Sequence, residues 1–421
     1  MADRIELVRE MFAAGLKAVS AGVCLPAHLP AAPAGRTLIL AIGKAAATMA
    51  REAAARMEGR HDTIVLTRYG HSLPLDDLPP AARVFEAGHP LPDEHGLNAT
   101  GEILEEVRKL TADDQLLMLI SGGASALLTM PAPGLVLDDK KAMTRALLAC
   151  GASISEINCV RTHLSQIKGG RLALAAHPAK VVTLAMSDIP GDDIALVGSG
   201  PTIADRTKLA DAKHILDIYK IPCPPQVRAA LDDESNETPF AGSPGLSGAT
   251  TRIVARSRMA LEAAGEIAHA AGYTPIYLGD GIEGDAGELG TVHAALALHY
   301  AGKGGRYALL SGGETTVIVR NPNGRGGRNQ EYLLSLALSL DGAAGIFALA
   351  CDTDGIDGTQ DNAGACISPT TLRRAGTLGQ SAMAALNANR SYDFFEALGD
   401  LVMTGPTRTN VNDIRIILVD R

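Results

Sequence analysis

The chain is 421 residues long, carries a formal net charge of −9, and is 46% apolar but only 3% aromatic, with no Trp. A length beyond what one hydrophobic core usually serves predicts two domains. The acidic balance and the scarcity of rings exclude a non-specific nucleic-acid binder, which needs a basic footprint and stacking surfaces, and no apolar run nears the roughly 20 residues of a membrane span.

The first segment, MADRIELVREMFAAG, spaces Ile5, Val8, Phe12 and Leu16 as one helical stripe among charges, unlike the unbroken apolar core of a signal peptide. Six cysteines, at 24, 150, 159, 223, 351 and 366, form no CxxC pair, so reduced buried thiols are expected rather than disulfides or a zinc site. A cytoplasmic protein with no membrane and no nucleic-acid partner follows. Homo-oligomerisation is left open.

Strand-like runs then alternate with helical patterns: TLILAI (37–42), TIVL (63–66), RVFEA (83–87), LLMLI (116–120) and VVTLAM (181–186). This alternation predicts an α/β fold with a mostly parallel, Rossmann-like sheet covered on both faces. The polar stretch DDESNETPFAGSPGLSG reads as a linker. The expected organisation is an N-terminal domain over 1–235, a linker over 236–248 and a smaller, mixed α/β C-terminal domain over 249–421. Its strands are TRIVA (251–255), TPIYL (274–278), YALL (307–310), a hairpin-like TTVIVRNPNGRGG, IFALA (346–350) and IRIILV (414–419).

In open α/β sheets the ligand lies beyond the carboxyl ends of the strands. There the sequence places Gly43-Lys44 after TLILAI, Ser121-Gly122-Gly123-Ala124-Ser125 after LLMLI, and SDIPGDD with Asp188, Asp192 and Asp193 after VVTLAM. In the second half, Ser311-Gly312-Gly313-Glu314 follows YALL, and CDTDGIDG with Asp352, Asp354 and Asp357 follows IFALA. Glycines that bare backbone N–H groups suit phosphate, a lysine offsets its charge, and carboxylates hold Mg²⁺ or orient a nucleophile; together they are the parts of phosphoryl transfer. Each part alone is an ordinary turn, cap or solvated charge. Their recurrence at equivalent strand ends in both halves favours a site in a cleft between two α/β/α domains.

Positive charge for an anionic substrate comes from Arg161 and Lys168, seven apart and so expected on one helix face, with Arg171 beyond, and from Arg325 and Arg328 in NPNGRGGRNQE. Three lookalikes are set aside. GDGIEG (279–284) fits a dinucleotide fingerprint, but Asp280, Glu283 and Asp285 would repel a pyrophosphate. DTDGIDG has Ile356 where a calcium loop needs a ligand. Ser165 to Lys168 fits S-x-x-K without its companion motifs and reads as helix surface. The irregularly spaced His61, His71, His89 and His95 read as loop and surface residues rather than metal ligands.

GKAA (43–46), TRYGH (67–71), EAGHPLPDE (86–94), ISGGASALL (120–128), RTHLSQIKGGRLA (161–173), GSGPT (198–202), SGGETTV (311–317), GRGGRNQE (324–331), DTDGIDG (352–358) and TNVNDI (409–414) together resemble type II glycerate 2-kinase, whose C-terminal module is called MOFRL. The resemblance covers nearly the whole chain. It implies ATP-dependent phosphorylation of D-glycerate at its 2-hydroxyl, with Mg²⁺, and places the family's catalytic lysine on Lys44 and its catalytic arginine on Arg328. The remaining site residues are Asp188 as proton acceptor, Ser121, Gly122, Gly123, Ser125, Ser311, Gly312, Gly313 and Glu314 around nucleotide phosphates, Arg161, Lys168, Asn329 and Glu331 around the substrate, and Asp193 and Asp352 at the metal. One departure stands out: Arg408 occupies a position in PTRTNVND where the family usually has glycine. The rivals are an NAD(P)H-dependent hydroxypyruvate reductase, which would need GDGIEG to bind a dinucleotide, and a non-catalytic ligand-binding regulator, disfavoured because the lysine, the arginine and the acidic motifs are all retained.

Overall fold

The computed structural model describes residues 2–420 and resolves two compact units. One comprises Cys24–Ile189 and Asp193–Val254. Its sheet is built from β1 (Arg36–Ile42), β2 (Arg60–Arg68), β3 (Arg83–Ala87), β4 (Gln115–Ile120), β5 (Lys180–Met186) and β6 (Ala249–Ala255), in the order β3-β2-β1-β4-β5-β6. Strands β1 to β5 are parallel throughout. Leu38, Leu40 and Ile42 of β1 pack with Ile103, Leu104 and Val107 of the helix Glu94–Arg108, and Ile39 and Ala41 on the opposite face are equally buried. Burial on both faces is why these strands read as continuous apolar runs rather than alternating ones. The helices Leu137–Ala149, Ile154–His163, Leu209–Ile218 and Pro225–Asp232 form a separate small core around Met143, Leu147, Val160, Leu216 and Val227.

The other unit runs from the N-terminus to Val23, takes in Pro190–Asp192, and continues over Ala255–Arg421. Its strands are β7 (Thr274–Gly279), β8 (Gly284–Asp285), β9 (Arg306–Gly313), β10 (Thr315–Thr316), β11 (Ile346–Asp352), β12 (Gly364–Ile367), β13 (Leu401–Val402) and β14 (Asp413–Asp420). Six of them form a mixed sheet, β13-β12-β11-β14-β9-β7, in which only β7 and β9 are parallel. Strand β14 lies between β9 and β11, which brings the strand ends carrying Asp413, Gly313 and Asp352 side by side.

Three sequence expectations are corrected here. TRIVA belongs to β6, the edge of the first sheet, because β5 offers it an unpaired strand edge. The N-terminal helix Ala2–Ala18 belongs to the second unit: Val8, Met11 and Phe12 are buried, Gly15 closes on Ala260 and Ile414, and Arg4 pairs with Asp420 at 2.7 Å. The expected hairpin after β9 is absent among the described residues, since β10 instead pairs in parallel with β8 and residues 317–327 form a loop.

Candidate active site

In the first unit the order β3-β2-β1-β4 reverses direction between β1 and β4, the switch point at which an open parallel sheet leaves a crevice at its carboxyl edge. The two loops leaving these strands are stitched together. Lys44 donates its N–H to Gly122 O at 2.9 Å, and Ala45 donates to Ser121 Oγ at 3.0 Å. Gly43 holds φ +119°, and a Cβ there would collide with Ser121, so the position requires glycine. Lys44, half-buried, is thus fixed by its backbone at the switch point. Ser121 is fully buried and its hydroxyl caps the lysine turn, so it supports the loop rather than facing a ligand. The ring of His89 lies against Gly123, a contact that gives EAGHP a place at the site which the surface reading of that histidine missed.

Further along the same loop, Ser125 Oγ accepts from Arg161 Nη2 at 2.9 Å and from Lys168 Nζ at 2.9 Å, and shares a hydrogen bond with Ser199 Oγ at 2.9 Å. Lys168 also donates to Ser125 O and Gly198 O, at 2.9 and 3.3 Å. Arg161 and Lys168 do converge, but not along one helix face: the helix ends at His163, and Lys168, 1% exposed, comes from the turn that follows. Burial and then the charges of Arg161 and Lys140 hold the Lys168 ammonium well below the ordinary lysine range. Asp188 is half-buried at the carboxyl end of β5, and Asp193 accepts from Ala195 N at 3.1 Å and meets Arg206 at 3.3 Å.

In the second unit Arg328 opens the helix Arg328–Leu340 and is gripped by three carboxylates: Nε lies 3.0 and 2.9 Å from the two oxygens of Asp413, Nη2 is 2.7 Å from Asp352 and Nη1 is 3.1 Å from Glu314. Burial works against its charge, but Asp413, Asp352 and Glu314 outweigh it and raise its pKa. Asp357, fully buried, accepts from Asn329 N and Gln330 N, both at 3.1 Å. Burial and then Asp413 push Asp357 up to about 6. The acidic motif DTDGIDG is therefore the clasp that holds the start of this helix. A cavity of about 390 Å³ adjoins Arg328, with Val317, Val319, Asn321, Gly327 and Glu331 in its lining.

Several expected roles change. Asn329 is fully buried and donates to Asp413 and Asp357, so it braces the clasp instead of meeting substrate. Glu331 accepts from Asn389 at 2.7 Å at the cavity wall. Arg325 is committed to Asp393 at 2.9 Å and stacks over Tyr392. The second Ser-Gly-Gly is no open cradle: Gly313, at φ +109°, has Ile282 backbone where its side chain would stand, Ile282 N donates to Gly312 O at 3.1 Å, and Arg415 takes both glycine carbonyls at 3.2 and 3.3 Å. Asp352 is held by Arg328 and Asp193 by Arg206, and among the described residues no group of three potential ligands could cage a metal. Asp413, Ser199 and Lys140 were not singled out from the sequence; the first two lie in quoted motifs, whereas Lys140 carried no signal.

A family model described as a domain of unknown function (DUF4147) matches residues 7–232, and the MOFRL family model matches residues 307–413. The chain belongs to the DUF4147–MOFRL family. Within the DUF4147–MOFRL family, a relative from Agrobacterium vitis that carries the name "Putative hydroxypyruvate reductase" is 48% identical over 420 residues, covering 98% of this chain and 94% of its own. The D-glycerate 2-kinase of Thermotoga maritima is 37% identical over 422 residues, 99% of this chain and 97% of that one. A crystal structure of glycerate kinase from Thermotoga maritima matches with a TM-score of 0.89 at 36% identity, covering 100% of both chains. The resemblance to type II glycerate 2-kinases drawn from the motifs therefore holds, and so does the fold.

Proposed function

We propose that this protein is a cytoplasmic glycerate 2-kinase that transfers the γ-phosphoryl group of ATP to the 2-hydroxyl of D-glycerate. The observation that carries this reading is Lys44 pinned to Gly122 at the β1–β4 switch point, in a chain whose relatives along nearly all its length include named glycerate kinases. The new O–P bond forms at the 2-hydroxyl as the bond to the bridging oxygen breaks and ADP leaves. Asp188 takes the hydroxyl proton, and Lys44 offsets the charge that spreads over the transferring oxygens; the family resemblance gives Arg328 a catalytic charge as well. Arg328 acts as a positioned charge: its carboxylate partners fix the guanidinium plane and leave little freedom to reach.

Mg²⁺ accompanying ATP needs only one or two protein carboxylates, the rest of its shell being phosphate and water. Asp193, whose partner is the largely exposed Arg206, suits that task, whereas Asp352 is already neutralised by Arg328. The ion would neutralise charge on the phosphates.

A hydroxypyruvate reductase would need its nucleotide on the GDGIEG loop. The backbone of Ile282 there is hydrogen-bonded to Gly312, and Asp280 and Glu283 add negative charge. The test is incubation of purified protein with ATP, Mg²⁺ and D-glycerate, with the product isomer identified by NMR, beside NADH with hydroxypyruvate. Formation of 2-phosphoglycerate, lost in Lys44→Ala, supports the kinase; NADH consumption without phosphoryl transfer overturns it. Asp188→Asn should lower turnover far more than ATP affinity, and unchanged turnover would remove Asp188 from the mechanism.

A further inference from the structure

The loop 317–327 that leads into Arg328 is seated on one side chain. Asn389 Oδ1 accepts from Arg320 N at 2.7 Å and Asn321 N at 3.1 Å, and its Nδ2 donates to Ile318 O at 3.2 Å and Glu331 Oε1 at 2.7 Å. Two accepted and two donated bonds use the whole capacity of a side-chain amide. Asn389 is buried and holds φ +50°, a left-handed conformation that asparagine tolerates better than most residues. Beside it, Asn321 Nδ2 donates to Ala388 O and Tyr392 N to Arg325 O, both at 3.0 Å, so the loop is laced along residues 388–392.

That seat decides what the glycines of the loop are for. A Cβ on Gly324 would strike Asn389 O, one on Gly326 would strike Ser391 Oγ, and one on Gly327 would strike the Asp357 carboxyl. The space beside each is filled by the protein itself, so these glycines let the loop lie flat on its seat and are no phosphate cradle. What the loop gives to the cavity of about 390 Å³ is apolar: Val317, Val319 and Pro322 line it, and Val319 is 69% exposed. Among the described residues in that lining only Arg328 carries positive charge, and three carboxylates already meet it. Space of this size, apolar on one side and furnished with a few hydrogen-bonding groups, suits a neutral flat-bodied group rather than a polyphosphate.

We propose that this cavity takes the nucleoside part of ATP, and that Asn389 is the positioning residue that builds it by holding the loop that carries Val319 and Pro322. The assignment to ATP rests on the kinase reading above. Of the two substrates, D-glycerate is small and polar throughout, and only ATP has a flat, weakly polar body to bury against valine and proline. Glu331 and the hydroxyls of Thr315 and Thr359 lie in the same lining and provide acceptors for ribose hydroxyls.

The chain has no Trp, so Val319→Trp places a single indole emitter on the cavity wall. Titrated into the full-length variant, ADP should shift the emission to saturation, whereas inorganic tripolyphosphate and D-glycerate should leave it unchanged. Loss of ADP binding in Val319→Trp at an unchanged melting temperature, with binding kept by the parent, also places the nucleotide here. Asn389→Gly keeps the left-handed backbone and removes all four amide bonds; it should raise the KM for ATP at least about tenfold while the KM for D-glycerate stays within about twofold. A merely unstable variant would lose active protein and leave both KM values where they are. ADP binding seen by calorimetry without a change in emission, an equal response to tripolyphosphate, or an unaltered KM for ATP in Asn389→Gly would overturn the pocket. Failure of the kinase reading shows separately, as an ADP response with no phosphoryl transfer to D-glycerate, whereas transfer beside a silent Trp overturns the pocket alone.

Discussion

Arg328 and Asp413 are bound side on, the arginine Nε reaching both carboxylate oxygens at 3.0 and 2.9 Å while Asp413 itself is fully buried. The pair joins the first residue of a helix to the first residue of β14, so it organises the fold and carries a charge for chemistry at once. Arg328→Ala would leave Asp413 with Arg415 and Asn329 and would take from Asp352 the guanidinium it meets at 2.7 Å. The expected loss is about 3–5 kcal/mol of stability, read from equilibrium urea unfolding. A full-stability Arg328→Ala protein would show that the clasp is dispensable and that any loss of turnover is purely chemical.

Lys44 offers the cleaner probe of mechanism. Its backbone N–H does the holding, and the N–H survives substitution. Lys44→Ala should keep that backbone anchor yet lose on the order of 10²–10³ in turnover, measured beside its melting temperature. Gly43→Ala should do the opposite first, lowering the melting temperature because φ +119° and the collision with Ser121 both oppose a side chain.

His293 predicts how stability responds to acid. It is 2% exposed, hydrogen-bonded to Tyr332 Oη at 2.8 Å, and burial followed by the charge of Arg415 pushes it down to about 4. The unfolded chain binds this proton near the ordinary pKa of about 6.5, so its contribution is fully present above that value and is lost as pH falls towards 4. The full shift corresponds to about 3 kcal/mol, to be seen as a falling urea midpoint across that window. In His293→Gln this part of the slope should vanish.

Arg408 stands at φ +58°, the left-handed region that disfavours side chains. A glycine there would relieve that strain, so Arg408→Gly should gain on the order of 1 kcal/mol, less the greater entropy of an unfolded glycine. A loss in thermal unfolding experiments would mean that the arginine side chain contributes more than its backbone costs.

The fold was legible wherever local pattern and burial agree. Runs such as Leu116–Ile120 and Ile346–Ala350 read as strands because both their faces are buried, and the glycine turns after β1 and β4 announced the crevice between them. Two kinds of information were absent from the pattern. Pairing across long separations decided that Ala249–Ala255 joins the first sheet and that Ala2–Ala18 packs on Ser257–Ala270. The occupancy of a glycine's missing side chain decided the rest: Ser-Gly-Gly looks the same whether a ring lies beside it, as His89 does at Gly123, or another backbone does, as at Gly313. Lys140 was illegible for a related reason, since a lysine among Asp138, Asp139 and Lys141 reads as solvated helix and only its inward turn distinguishes it.

The packing of Ala2–Ala18 on Ser257–Ala270 sets an order of events during synthesis. The apolar stripe of Val8, Met11 and Phe12 emerges before its partner, which is encoded about 250 residues later, on the order of tens of seconds at ordinary elongation rates. Throughout that interval the first unit can close on itself while the leading helix stays exposed, a ready target for chaperones or for a neighbouring nascent chain. A truncated message ending after β6 would therefore release a folded sheet with a sticky tail, and cutting the gene at its apparent linker would separate this helix from the half of the protein to which it belongs.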